Sequence, residues 1–435
     1  MARTTSALLC AGCSAAALIA ASSPRSARAA GGPLKIDDAV QLALARSEVA
    51  KIADEQLLVA DAAVERARSG FLPTITANGN DTFRPDPTQN QNNNVGTGGA
   101  TLAQPLLNAP AWPLYRQAER LQDAQRATTA EQKRLLAFNA AGAFLQVLSV
   151  EHVREAAMRR LDTAKSSLND AQARVSAGLN SSNDVTRAQL SVASSVEEVA
   201  NDDGGVRRSY VTLGFILATD VSGPLAPPAA ILQAAAQPAG TPDKLVAAAE
   251  GRRLDLVASR HSARAAHLFA DEPLLRIVPT VGIAAGLTGT TSPVGTGARS
   301  TDETITGTLT WTLYDAGVRY ADKHSRDASA RIADYQLTLL QRQIRSDVST
   351  ALASLESSQA AFRAAADAVA ASQRSLDETS TLYKQGLATA LELTDANDQR
   401  FVAEVGYASA ELSMALAYLA LRQAMGLEPL GTVLS

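Results

Sequence analysis

The side chains able to do chemistry are few and scattered. His152, His261, His267 and His324 show no i, i+3 or i, i+4 pairing, and the only cysteines, Cys10 and Cys13, lie at the extreme N-terminus. A zinc or thiol site needs clustered soft ligands, so neither is expected. There is no G-x-S-x-G elbow and no P-loop, and the glycine clusters at 96 to 99 and 295 to 297 read as hairpin loops. No catalytic residue, metal or cofactor is expected. Glu392 and Asp395 are two carboxylates three residues apart, which a helix would place on one face. Just beyond Gly386-Leu387, they would fall in the first turn of a helix, where carboxylates offset the dipole.

Those residues sit in a chain built mainly of helix. Hydrophobic residues at 46% exclude a disordered chain, and a formal net charge of −4 leaves no basic footprint for nucleic acid. Residues 1–29 read as an export signal. Arg3 gives a positive start, Ala7 to Ala21 is apolar, and Ala27-Arg28-Ala29 is an A-x-A cleavage site. Ala11-Gly12-Cys13 also resembles a lipoprotein box, with Cys10 where Leu is usual, making Cys13 the candidate lipidation site. Past this segment no apolar run reaches the roughly 20 residues of a membrane helix, so if the mature chain meets a membrane it must do so through strands.

Ile305, Gly307, Leu309, Trp311 and Leu313 alternate with Thr306, Thr308, Thr310, Thr312 and Tyr314, the signature of a strand with one apolar face. Directly after it, Val318 to Lys384 has almost no helix breaker and predicts a rod of about 100 Å. The rest reads as two similar units. Residues 34–218 contain a helix from Leu34 to about Ser69, strands at 71–83 and 100–108, and long helices at 114–177 and 183–218. In this unit Pro113 serves as a first helical residue, Asn183 as an N-cap, and Asn201 to Gly205 as a kink or break. A Pro/Ala-rich linker spans 219–242. Residues 243–427 contain a helix from Asp243 to Ala270, strands at 275–289 and 303–315, and helices at 318–384 and 390–426. A tail covers 428–435.

The two units are a duplication. Pro73-Thr74 recurs as Pro279-Thr280 about 206 residues on, and Gly178-Leu179 as Gly386-Leu387 about 208 on. Between them LAQPLLNA, beginning at Leu102, corresponds to LTWTLYDA, beginning at Leu309. Val348, Leu355, Phe362, Val369, Leu376 and Tyr383 are spaced by seven, and Val147, Leu161, Leu168 and Val175 fall on the same stripe one unit earlier, Arg154 being the exception. A sustained seven-residue period implies left-handed supercoiling. Four strands cannot close a barrel, for which about eight are needed. Open edges are not tolerated in lipid. Three protomers would supply twelve strands, with Leu309, Trp311 and Leu313 facing lipid and the threonines facing the lumen.

With LKIDDAVQLALARS at its start, FLPTITANG, the QPLLN and WTLYDAG strand ends and two Gly-Leu turns in duplicated order, the chain resembles the TolC-like outer-membrane efflux proteins. The resemblance implies a mainly α fold with a small β part. It implies a homotrimer whose twelve-stranded barrel in the outer-membrane lipid of a Gram-negative bacterium continues as a long periplasmic α-helical barrel. Its implied partners are a periplasmic adaptor protein and an inner-membrane transporter of RND, ABC or similar type. The implied function is the exit duct of a tripartite efflux system, or alternatively of type I protein secretion. A non-membrane periplasmic scaffold is the reading from a different class. The resemblance also assigns adaptor docking to Gly178, Leu179, Gly386 and Leu387. It assigns a periplasmic constriction to Tyr383, Glu392 and Asp395, six carboxylates around an opening in a trimer. The family's arginine near the second turn is Ala388 here, which removes one partner of the closing network.

Overall fold

Unbroken helical stretches on this scale leave the chain one simple course, up and down a rod. The computed structural model describes residues 33–85, 93–178, 181–292 and 300–431. The expected signal with Cys13, and Leu179 of the first turn, lie outside the described residues. Among the described residues there are nine helices and one sheet. α1 (Ile36–Arg46) and α2 (Glu48–Arg68) lead to β1 (Thr74–Phe83) and β2 (Asn94–Leu107), then to α3 (Ala111–Ser176) and α4 (Ser182–Leu217). A short α5 (Ala229–Ala235) precedes α6 (Pro242–Arg252), α7 (Leu254–Leu275), β3 (Thr280–Thr290), β4 (Thr301–Thr310), α8 (Val318–Gln385) and α9 (Ala390–Ala424). At 66 and 68 residues, α3 and α8 are each about 100 Å long.

The sheet is antiparallel throughout, in the order β1-β2-β3-β4, so the two halves of the chain join through β2 and β3. Its register carries one amphipathic pattern across all four strands. Ile75 faces Leu102, Leu102 faces Ala285, and Ala285 faces Ile305. Paired residues share a face. One face is therefore Ile75, Leu102, Val281, Ile283, Leu287, Ile305 and Leu309. The other carries Thr74, Thr76, Asn78, Thr101, Thr280, Thr306, Thr308 and Thr310. β1 and β4 each have one edge with no strand beside it among the described residues.

Below the sheet the helices form two rows that share α3 and α8. Nearest the sheet, neighbours run α2, α3, α7, α8, and toward the far end they run α4, α3, α9, α8. The largest core joins the rows at mid-length, where Phe144, Leu213, Leu217, Ile344, Val348, Met414 and Leu421 are buried. On α3 the most buried line beyond that core is Ala157, Ala164 and Ala171, while the predicted Leu161, Leu168 and Val175 are half-buried. The seven-residue spacing is the same, but the smaller side chains take the closest approach.

Several boundaries differ from the sequence reading, each for a local reason. The first helix breaks at Ser47, whose extended backbone turns the chain and whose hydroxyl accepts from the Val49 amide at 3.3 Å. β1 starts only at Thr74 because Ser69–Phe71 forms a 3-10 turn. β2 begins six residues early, at Asn94: its glycines lie within the sheet, and a side chain at Gly99 would come 3.0 Å from the Leu287 carbonyl. α3 begins at Ala111, so Pro113 is its third residue. Ser181, not Asn183, is the N-cap of α4, its hydroxyl accepting from the Asn183 amide at 3.2 Å.

No break occurs at Asn201 to Gly205, because the bare backbone of Gly205 packs against Val150 and Arg154 pairs with Asp203. Residues 219–242 are not a plain linker. Leu34 and Leu225 form a parallel bridge, Ile231 and Ala235 are buried, and Gln359 of α8 donates to the Ala235 and Gln237 carbonyls at 2.7 and 2.9 Å. The helix expected over 243–270 breaks at Arg253, which is extended and pairs with Asp255 and Asp347 at 2.6 and 2.9 Å. β3 starts at Thr280 because α7 runs on to Leu275. β4 ends at Thr310, so Trp311 and Leu313 lie past the strand, and of the three residues assigned to it only Leu309 is within it. The Trp311 indole N–H donates instead to the Ile277 carbonyl at 2.9 Å, folding the ring over the α7–β3 turn.

Candidate functional site

At the end far from the sheet, two helix hairpins turn. Gly386 closes α8 with φ +79°, a conformation that costs a residue with Cβ about 1–2 kcal/mol. Its amide donates to Tyr383 O at 3.0 Å and the Leu387 amide to Leu382 O at 2.9 Å, the paired bonds of a Schellman turn. Gly178 follows α3 with φ +75°, and its amide donates to Val175 O at 2.9 Å. A side chain at either glycine would meet nothing within 4 Å. Leu387 is exposed. Backbone conformation therefore requires these glycines, and the space around them is open to a partner.

α9 starts with a full capping box. The Glu392 amide donates to Thr389 Oγ1 at 3.3 Å, and the Glu392 carboxylate accepts from the Thr389 amide at 2.6 Å. These bonds hold the Glu392 carboxyl below its usual range. Glu392 is thus an exposed anion tied to its own helix. Asp395 is one turn further along the same exposed face and accepts from the Gln399 side-chain amide at 2.7 Å. Asp398, the next carboxylate, is neutralised across the seam by Arg160 of α3 at 2.9 Å.

Tyr383 does not project into open space. It is 2% exposed, packed with Leu376, Leu393 and Ala396, and Ala388 lies against this cluster. Its hydroxyl is buried without a hydrogen-bond partner among the described residues, and burial pushes the phenol above its ordinary value. The residue that sequence reading missed is Arg174. From the last turn of α3 its guanidinium sits 4.4 Å from the Tyr383 ring centroid, and its Nη2 donates to Lys384 O at 2.9 Å. One hairpin thus grips the other by a cation–π contact and a hydrogen bond. Arg174 is the basic residue of the last turn of α3, where carbonyls attract a cation, and that was its only signal in the sequence.

A duplicated strand pair on a helical rod, with paired Gly-Leu turns at its end, defines an outer-membrane channel protein of the TolC type. The chain belongs to the outer membrane efflux protein family, whose model matches residues 39–219 and again 245–427. The outer membrane efflux protein BepC of Brucella suis is 22% identical over 378 residues, covering 85% of this chain and 80% of BepC. Among solved structures, CusC superposes with a TM-score of 0.79 at 16% identity, covering 90% of this chain and 92% of that one. The open-state channel MtrE of Neisseria gonorrhoeae gives 0.76 at 19% identity, covering 90% and 89%. The family consists of transport ducts, not enzymes.

The capping box generates a pH prediction. Glu392 titrates below its ordinary value when folded, so its bond to Thr389 is present above the carboxylate range and is lost as pH falls through the lowered value. Hydrogen exchange at the Thr389 amide, corrected for intrinsic rates, will lose protection on acidification, and Glu392→Gln will remove that pH dependence. Equal acid dependence in both proteins would show that the carboxylate does not hold the turn.

Proposed function

We propose that this chain is the passive exit duct of a tripartite efflux system, a homotrimer that docks a periplasmic adaptor and an inner-membrane transporter to export small molecules. The observation carrying this reading is that, among the described residues, both edges of the sheet and both ends of each helical row have no further element beside them. The free edges of β1 and β4 are incompatible with lipid unless another strand covers them. The matching row ends carry exposed apolar residues, Val49, Ile52 and Val59 on α2 and Ile332, Tyr335 and Leu339 on α8. In the lower row, Leu190, Val211 and Phe215 of α4 are exposed, while α8 offers Ala353, Ser357, Ala360, Ala364 and Ala368. Large residues on one end and small ones on the other suit a head-to-tail ring, and three copies give twelve strands.

In that ring the exposed turns at Gly178 and Gly386, with Leu179 and Leu387, face the adaptor. Glu392 and Asp395 leave uncompensated negative charge near the opening, while Tyr383 with Arg174 sets how the two hairpins lie together. Secretion of a protein through the same duct would use the same geometry. The open apolar edges weigh against a periplasmic scaffold.

Three outcomes are expected. Mass measurement of detergent-extracted protein from the outer-membrane fraction will give a trimer, and Ile332→Glu with Tyr335→Glu will reduce it to monomer. A wild-type monomer would sink the duct reading. Gly386→Asp will abolish export of efflux substrates while trimers persist, and export at the normal rate would remove the docking role from that turn. In single-channel recordings, Glu392→Gln with Asp395→Asn will lower cation preference, and unchanged selectivity would leave both residues as helix-end charges.

A further inference from the structure

Where strands meet helices, the two halves of the chain build one junction from different residues. The duplication sets Arg319, Asp322 and Lys323 where the first half has Trp112, Tyr115 and Arg116. In the second half the cations are neutralised internally. Arg319 lies 3.1 Å from Asp315, Lys323 2.7 Å from Asp327, and Arg276 2.8 Å from Glu272. In the first half Arg116 has no carboxylate within ion-pair distance among the described residues, and neither has Arg68 at the end of α2. The Arg116 guanidinium lies 5.9 Å from the Trp112 ring centroid. The Trp112 ring lies 5.3 Å from Phe71, tilted by 55°, Phe71 meets Tyr115 edge-on at 6.2 Å, and Arg68 ends α2 just before the Ser69–Phe71 turn.

This aromatic and basic cluster is continuous with the apolar face of the sheet. Gln104, on the face shared with Ile75 and Ile283, donates to Phe71 O at 3.0 Å. Leu72, Leu106 and Trp112 around it are exposed. A membrane boundary is where an indole is most stable, with its ring against acyl chains and its N–H in the headgroup layer. A guanidinium beside it that makes no ion pair among the described residues is matched in charge and fork geometry to a phosphate diester.

We propose that Arg68, Arg116 and Trp112 form a binding site for the headgroup of an anionic phospholipid in the periplasmic leaflet, its acyl chains lying along Leu72 and Leu106. The neutralised second half makes no such site. One headgroup layer is thus held at one defined edge of each protomer's junction. The inference rests on the sheet lying in the bilayer and does not depend on which partners dock below.

The chain has two tryptophans, so Trp311→Phe leaves Trp112 as the sole emitter. This variant is reconstituted in phosphatidylcholine bilayers containing brominated phosphatidylglycerol. Quenching is expected to exceed that for random lipid mixing, by about five-fold in local concentration per arginine. Adding Arg68→Gln and Arg116→Gln should return it to the random-mixing curve. Random mixing with both arginines present, or excess quenching that survives their removal, overturns the site. The companion Trp112→Phe variant leaves Trp311 as a depth marker. Quenching of Trp311 by brominated phosphatidylcholine with none of Trp112 overturns the headgroup site alone. Quenching of neither overturns both the site and the bilayer placement of the sheet.

Discussion

A backbone group in hydrocarbon must find its partner in protein, because no water is there to take its place. Among the described residues, the four-stranded sheet satisfies that demand at every internal ladder and leaves it unmet along the outer edges of β1 and β4. The helical rows repeat the same incompleteness in water, where apolar residues on α2, α4 and α8 have no cover within the protomer. Sheet and helices are open in the same sense, at the two flanks of one slab. Two complementary open flanks suit repetition of the protomer around an axis, the closed ring proposed for the duct.

The long helices achieve their length through modest local devices. Small buried residues let α3 approach its neighbours, with Ala157, Ala164 and Ala171 at seven-residue intervals. Ion pairs cross the seam with α9, Arg159 with Glu404 and Arg160 with Asp398. The segment between the duplicated halves adds a clamp at mid-length. α5 is held to α8 by the two bonds from Gln359, and Tyr210 of α4 donates to the Gly223 carbonyl. A segment that reads as a loose connection is in fact part of the largest core.

At the hairpin end, charge and conformation are handled separately. The glycines settle the turns, the capping box starts α9, and the Arg174–Tyr383 contact ties the two hairpins together. Glu392 and Asp395 are left exposed on one helix face, the first tied to its own cap and the second lightly held. Burial of Tyr383 changes its meaning. A phenol packed against Leu376 and Leu393 positions a helix more directly than it lines an opening.

Much of this was legible in the sequence because it depends on periodicity and on a few conformationally special residues. Alternation of apolar residues and threonines from Ile305 marks a strand whatever surrounds it. Seven-residue spacing from Val348 to Tyr383 marks a long helix with one buried stripe, and a Gly after a long helix marks its end. Duplication at a nearly constant offset, visible by comparing the chain with itself, implied a repeated unit and a small number of strands. What the sequence could not settle depends on neighbours far along the chain. β2 gains its Gly-rich start because β1 and β3 supply partners on both sides, and β4 stops at Thr310 because the Trp311 indole finds the Ile277 carbonyl. α4 runs through Asn201 to Gly205 because Val150 and Arg154 of α3 lie alongside. Arg174 meets Tyr383 across more than two hundred residues. Such contacts are set by how the helices lie in three dimensions, and local spacing carries no record of them.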